Sequence, residues 1–282
     1  MNNDLNQQKT ILITGASGGI GKACVKALLE QDFYVFAGVR NLENIEKLKQ
    51  INNKNFTPLI LDITKIETIT EAQKTISKFV GKKGLDALIN NAGILKSAPV
   101  ESIPITDLRE QLEVNVIGQI TMIQEFLPLI RLSQGKIINI SSVSGFLSFP
   151  FMGAYCASKF ALEAITDALR MELKPWDISV ISIQPPFIKT SLWEKALELD
   201  KLTDVNQSYQ LYEDNLRKQR DKALEEVAKA IAPEKVAKIV TEVILTNNPK
   251  TKYLIGKDAY LSAILNHLPI YIKDWVILNK FC

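Results

Sequence analysis

Histidine and cysteine are nearly missing from this chain: one histidine and three cysteines stand among 282 residues. Cys24, Cys156 and Cys282 form no C-x-x-C pair, and their odd number argues against a secreted disulfide framework, so a reducing cytoplasm is the expected setting. His267 lies far in sequence from every motif, is given no catalytic role, and no metal site is expected. Charge of one sign is missing too. The formal net charge is only +3 with both signs interspersed, and there is no helix-turn-helix, zinc-finger or basic-aromatic pattern, so nucleic acid is not an expected partner. The N-terminus, residues 1–9, is polar, rich in Asn and Gln, and lacks the apolar core of a signal peptide or anchor. It is expected to be disordered. No Pro/Gly/Ser-rich linker interrupts the remainder, which favours one large domain over residues 10–258.

What is present alternates. Strand-like Thr10 to Ile13 meets glycines and then a helical pattern from Ile20 to Gln31. The alternation continues with strand-like Tyr34 to Ala37, helical Leu42 to Ile51, strand-like Thr57 to Leu61, helical Ile66 to Val80 and strand-like Ala87 to Ile89. A long helix is expected around Leu108 to Leu132, then a strand at Lys136 to Ile140, a helix from near Gly153 to about Leu173, and a strand at Ser179 to Ile183. This order predicts an α/β protein: a single-domain Rossmann fold whose doubly wound parallel sheet of six or seven strands carries helices on both faces. Residues 191–232 are charged and helical in composition, an insertion after the sixth strand where substrate sites are commonly built.

The run Thr14-Gly15-Ala16-Ser17-Gly18-Gly19-Ile20-Gly21 puts glycines where a strand ends and a helix starts. Backbone must approach a pyrophosphate closely there and offer it N–H groups, and side chains would block the approach. An ordinary glycine-rich turn is the bland alternative; the strand before and the helix after argue against it. The end of the second strand, Phe36-Ala37-Gly38-Val39-Arg40-Asn41, has no acid to bind a ribose 2′-hydroxyl. Arg40 can instead pair with a 2′-phosphate, which predicts NADP(H) over NAD(H). A solvated Arg40 with indifferent cofactor choice is the alternative.

Tyr155 and Lys159 stand four apart, and Ser142 precedes Tyr155 by thirteen residues. On a helix, positions i and i+4 share a face, so the lysine ammonium is expected beside the phenol, lowering its pKa from about 10 toward a usable acid/base range. The spacing alone means little, since a chance Tyr-x-x-x-Lys is expected about once in such a chain. Tyr253 and Lys257 form one, but in a strand-like run closed by Gly256, with Val240 where the serine would be.

With Asn90-Asn91-Ala92-Gly93 after the fourth strand, these motifs resemble the short-chain dehydrogenase/reductase family, over about residues 10 to 190 and in the family's order, near its retinol and hydroxysteroid dehydrogenase branch. The resemblance implies an NADP-dependent oxidoreductase. It implies Tyr155 as acid/base, Lys159 on the nicotinamide ribose, Ser142 as donor to the substrate oxygen, and Asn115 positioning a water toward Lys159. It implies cofactor contacts from Gly15, Ser17, Gly19, Ile20 and Gly21, adenine contact from Asp62 and Ile63, and ribose contact from Asn91, Ala92 and Gly93, leaving Asn90 to brace the sheet. The chain departs from the family in Pro185-Pro186, where Pro-Gly is usual; a stiffer loop with one donor fewer then presents Pro185, Ile188 and Thr190 to the nicotinamide. Homodimers or homotetramers, pairing the helices around 108–132 and 153–173, are implied as well.

The loop Phe146-Leu147-Ser148-Phe149-Pro150-Phe151-Met152 implies an apolar small-molecule substrate, and the family resemblance implies one of lipid, retinoid or steroid type without choosing among them. The same aromatics could pack on the 191–232 insertion or on a second subunit. The apolar tail, residues 259–282, is too interrupted to span a bilayer and could cover the domain, a partner subunit or a membrane surface as a peripheral contact. A rival reading is a non-catalytic NADP(H)-binding regulatory or scaffolding protein, but such proteins lose the tyrosine or lysine kept here. An epimerase or dehydratase on this fold is a further alternative, although those relatives tend to be longer.

Overall fold

The computed structural model describes residues 8–190, 192–193, 221–222, 225 and 229–281. Most of the expected insertion at 191–232, and residues 1–7 of the expected disordered N-terminus, lie outside the described residues. Seven strands form one sheet among the described residues: β1 (Thr10–Thr14), β2 (Tyr34–Val39), β3 (Phe56–Ile60), β4 (Ala87–Asn90), β5 (Lys136–Ile140), β6 (Ser179–Gln184) and β7 (Lys252–Leu254). Their order is β3-β2-β1-β4-β5-β6-β7, and every pairing is parallel. The doubly wound Rossmann sheet expected from the sequence is therefore present, with seven strands. Pro58, which can give no ladder N–H, sits in β3 at the sheet's edge.

Side chains alternate across the sheet because the strand period is two. Ile11 and Ile13 of β1, and Val35, Ala37 and Val39 of β2, enter one core layer, where Cys24, Val25 and Leu28 of helix α1 (Gly19–Leu29) meet Val236, Val240 and Val243 of α7 (Pro233–Leu245). Leu12, Phe36 and Leu88 enter the other layer, against α3 (Ile66–Val80) and α5 (Gly118–Ser133). A sheet covered on both faces explains why its strands read as nearly continuous apolar runs. The short α2 (Leu42–Lys49) starts at an Asn41 cap, whose Oδ1 accepts the Asn44 N–H at 3.0 Å.

The long helix expected at 108–132 is not regular. It begins at Ile105 after Pro104 as α4 (Ile105–Leu112), passes through a π-helical turn at Glu113–Ile117, and continues as α5. The extra residue is held by tertiary bonds: Asn115 accepts the Ile94 N–H and donates to the Ile94 carbonyl, both at 2.9 Å. Helix α6 (Gly153–Glu172) starts where the sequence places it. The tail forms α8 (Gly256–Asn266) and α9 (Ile270–Phe281). Among the described residues no helix is long and apolar enough to cross a membrane.

Candidate active site

Because the strands are parallel, their carboxyl ends share one edge of the sheet, and the sequence motifs follow those ends. Gly15 follows β1, Arg40 follows β2, Asp62 and Ile63 follow β3, Asn91 to Gly93 follow β4, Ser142 follows β5 and Pro185 follows β6. Residues far apart in sequence thus line one crevice.

The β1–α1 turn needs glycine for stated reasons. Gly15 has φ +65° and its missing Cβ would lie 2.9 Å from Ala92 Cα, while a Cβ on Gly21 would strike the Gly15 carbonyl. Gly19, with φ +31°, lies against Thr190, so the loop after β6 packs directly on the glycine turn. Asn91 pins the turn from the β4 side: its Nδ2 donates to the carbonyls of Thr14 at 2.9 Å and Gly15 at 3.2 Å. Helix α1 starts without a side-chain cap and without an acid in its first turn, and open space surrounds the position of a Cβ on Gly18. Uncapped N–H groups at a helix start, approached through glycine, fit a dinucleotide pyrophosphate. Ser17 and Arg40 are exposed and Ile20 is half-buried. The Asp62 carboxylate accepts from the Thr64 N–H at 3.0 Å and the Thr64 hydroxyl at 2.7 Å, fixing the turn before the buried Ile63. Asn90 does brace the sheet, donating to Asn139 of β5 at 3.0 Å.

Ser142, Tyr155 and Lys159 come together as their spacing predicts. The Ser142 hydroxyl is near enough to the Tyr155 phenol to act on its pKa and accepts the Ser144 N–H at 3.1 Å. Tyr155 and Lys159 are each 6% exposed. The Lys159 ammonium lies 5.8 Å from the Tyr155 ring centroid and donates to the Ile140 carbonyl at 2.8 Å. The lowered phenol pKa expected from the helix spacing does not hold in this structure. Burial pushes the phenol well above its ordinary value, with the Ser142 hydroxyl acting the other way. Burial also pushes the Lys159 ammonium down to about 8, opposed by Glu163. Desolvation dominates because both groups sit in the interior and the lysine's hydrogen bond goes to a backbone carbonyl.

Tyr155 also belongs to a small apolar cluster with Leu95, Met152 and Cys156, against which Phe149, Leu192 and Trp193 pack. A shallow, mostly apolar recess open to solvent is lined by Ser142, Ser144, Phe149, Met152, Phe187 and Trp193 among others. The aromatic loop therefore both walls the recess beside Ser142 and meets the start of the insertion. Ile188 is buried and bridges to Ile231, and the Pro185 carbonyl accepts the Val143 N–H at 3.1 Å.

The sequence pattern that describes the short chain dehydrogenases matches residues 9–200, a span that takes in every one of these groups. The chain belongs to the short-chain dehydrogenase/reductase family. It is 38% identical over 273 residues to the NADPH-dependent 3-dehydrocapnine reductase of Ornithobacterium rhinotracheale, covering 93% of this chain and 94% of that protein. It is 35% identical over 292 residues to 17-beta-hydroxysteroid dehydrogenase type 2 of Homo sapiens, covering 97% of this chain and 74% of that one. Among solved structures, ElxO with NADP bound superposes with a TM-score of 0.71 at 25% identity, over 88% of this chain and 96% of that one.

Three residues that support this site were not among the site residues read from the sequence. Thr14 Oγ1 accepts the N–H groups of both Asn91 and Ala92 at 3.0 Å, tying β1 to the turn after β4. Ser158 receives a bond from Asn115 at 3.0 Å and donates to the Tyr155 carbonyl at 2.7 Å, linking the π-turn to the Tyr155 helix. Glu163 is buried one turn beyond Lys159. Only the helical spacing of Ser158 and Glu163 from Tyr155 and Lys159 pointed toward them.

Proposed function

We propose that this short-chain dehydrogenase/reductase is an NADP(H)-dependent oxidoreductase that interconverts a carbonyl and an alcohol on an apolar substrate, with Tyr155 as acid/base. The observation that carries the reading is that Tyr155 packs with Met152, Phe149 and Trp193, the same residues that line an apolar recess with Ser142 and Phe187. The NADPH-dependent relative and the NADP-bound neighbour support the choice of cofactor, and the hydroxysteroid relative supports an apolar substrate.

Bound NADP(H) would supply or accept the hydride. In reduction, the Tyr155 O–H gives its proton to the carbonyl oxygen, while the Ser142 hydroxyl donates to the same oxygen and stabilises its developing charge. In oxidation Tyr155 takes the proton back. Lys159 would hold the nicotinamide ribose, Arg40 would pair with the 2′-phosphate, and the first turn of α1 would receive the pyrophosphate. Ile188 and Thr190 would hold the nicotinamide carboxamide, and Asn115 secures the backbone beside Tyr155 through Ser158.

The test is a spectrophotometric screen following NADPH oxidation with retinoid, steroid, acyl and small aliphatic carbonyls. Turnover should appear with at least one apolar carbonyl and fall by at least about 100-fold in Tyr155→Phe. Undiminished turnover in that variant would overturn the mechanism. Tight NADPH binding without turnover across the panel would favour the non-catalytic reading.

We also propose a homo-oligomer in the cytoplasm, joined through the helices around 108–132 and 153–173. The tail is proposed to rest its exposed face on a partner subunit or a membrane surface, since Tyr260, Leu261, Ile264, Tyr271 and Trp275 are all more than half exposed.

A further inference from the structure

Glu163 has no part in the chemistry above, yet it is 6% exposed on the same helix and face as Lys159. A carboxylate is retained in such a place only when partners offset its lost hydration. Its Oε1 accepts a hydrogen bond from the Ser182 hydroxyl of β6. Its Oε2 lies 3.2 Å from the ammonium of Lys252, at the start of β7. Lys252 in turn pairs with Asp167 at 2.9 Å, and Asp167 with Arg170 at 3.5 Å. The turn that follows Ser142 leaves this carboxylate room, because a Cβ on Gly145 would come within 2.8 Å of Glu163 Cγ and 3.2 Å of the Lys159 carbonyl.

We propose that Glu163 is a positioning residue whose buried carboxylate keeps the Lys159 ammonium charged through the neutral range, with Lys252 pairing Glu163 from the solvent side. The proposal rests on the reading of Lys159 as the cation of an NADP(H) site. The titratable and charged groups around Lys159 are Tyr155 and Glu163 on α6, and beyond Glu163 come Lys252 of β7 and Asp167 and Arg170 of α6. Ile140 of β5 accepts from the ammonium, Ser182 of β6 bonds Glu163 beside it, and Gly145 lies against Glu163 and the Lys159 carbonyl; none of the three carries charge. Glu163 is thus the buried anion one helical turn from Lys159 on the same helix, and the direction of its effect on that lysine agrees. Without it, Lys159 would give up its proton as pH rises just above neutrality, and the cation offered to the ribose would go with it.

The test titrates the chain itself, without cofactor or substrate, by NMR on 13C-labelled lysine and glutamate, with the Lys159 signal assigned through Lys159→Met. In Glu163→Gln the Lys159 midpoint should fall by about one pH unit, a tenfold loss of proton affinity. Glu163→Asp should restore most of it. If the Gln variant does not fold, the unaltered chain gives the answer: the Glu163 carboxyl signal should step at the pH where Lys159 loses its proton. An unmoved Lys159 midpoint in folded Glu163→Gln overturns the proposal, as does a Glu163 signal that passes through the Lys159 transition unchanged. Because the carbonyl screen and Tyr155→Phe test the oxidoreductase reading separately, the two can fail independently.

Discussion

The Lys159 side chain is buried, and its ammonium is pushed from 10.5 down to about 8. In the unfolded chain it returns to the ordinary value, so between about 8 and 10.5 the unfolded state binds the extra proton. Stability attributable to this residue therefore rises with pH across that window, and below it the full cost of burying the cation is present. The difference corresponds to about 3 kcal/mol. Lys159→Met should accordingly raise the melting temperature at pH 7, and the gain should shrink as pH climbs through 8 toward 10.5. Thermal melts of both proteins at pH 7 and pH 9.5 check this; equal gains at the two pH values would show that Lys159 does not titrate within the fold. Arg40 poses the opposite case, an exposed cation at the end of β2 with its charge available to a ligand. One charge-assisted bond to a 2′-phosphate is worth about 1.5 to 3 kcal/mol, so Arg40→Asp should cut the NADPH/NADH preference by at least about 10- to 100-fold. A dissociation-constant ratio that stays put in the variant would sink the assignment of Arg40.

At the scale of elements, the glycine turn between β1 and α1 separates two kinds of glycine. A Cβ on Gly21 would meet the Gly15 carbonyl, which is backbone and cannot swing aside, whereas a Cβ on Gly18 meets nothing within 4 Å. Gly18 also has an ordinary extended φ of −121°. Gly21→Ala should therefore cost about 1–3 kcal/mol in denaturant unfolding, and Gly18→Ala should leave unfolding nearly unchanged. Equal losses at the two positions would mean that the turn is not packed as described. These elements were legible in the sequence because their cause is local: apolar runs buried on both faces and a glycine cluster between them. The π-turn at Glu113–Ile117 was not, because the bonds from Asn115 that hold it reach Ile94, which no periodicity around residue 115 can report. The pKa of Tyr155 failed for a related reason. Spacing places a lysine beside a tyrosine, but the sign of the shift depends on how much water the assembled fold removes, and only the packing of Leu95, Met152, Phe149 and Trp193 around the phenol decides that.

At the scale of the molecule, the sheet, its two helical layers and the crevice at the strand ends account for most apolar residues, and the tail stands apart from that pattern. Ala259 of α8 and Ile277 of α9 are buried and dock the two helices. Their outer face exposes Tyr260, Leu261 and Ile264 on one helix and Ile270, Tyr271 and Trp275 on the other, with Trp275 67% exposed. Burying each such side chain would contribute about 1.5–3 kcal/mol, so a shared covering could hold the protein to a second subunit or to a lipid surface. Lost exposure is what distinguishes this face from a merely structural one. Trp275→Ser, removing a side chain that touches little in the single chain, should change folding stability by no more than about 0.5 kcal/mol. The same substitution should weaken self-association in sedimentation velocity or reduce flotation with anionic lipid vesicles, and which of the two responds identifies the surface that the tail covers. If stability stays level and neither association nor flotation moves, the tail's exposed face serves neither partner.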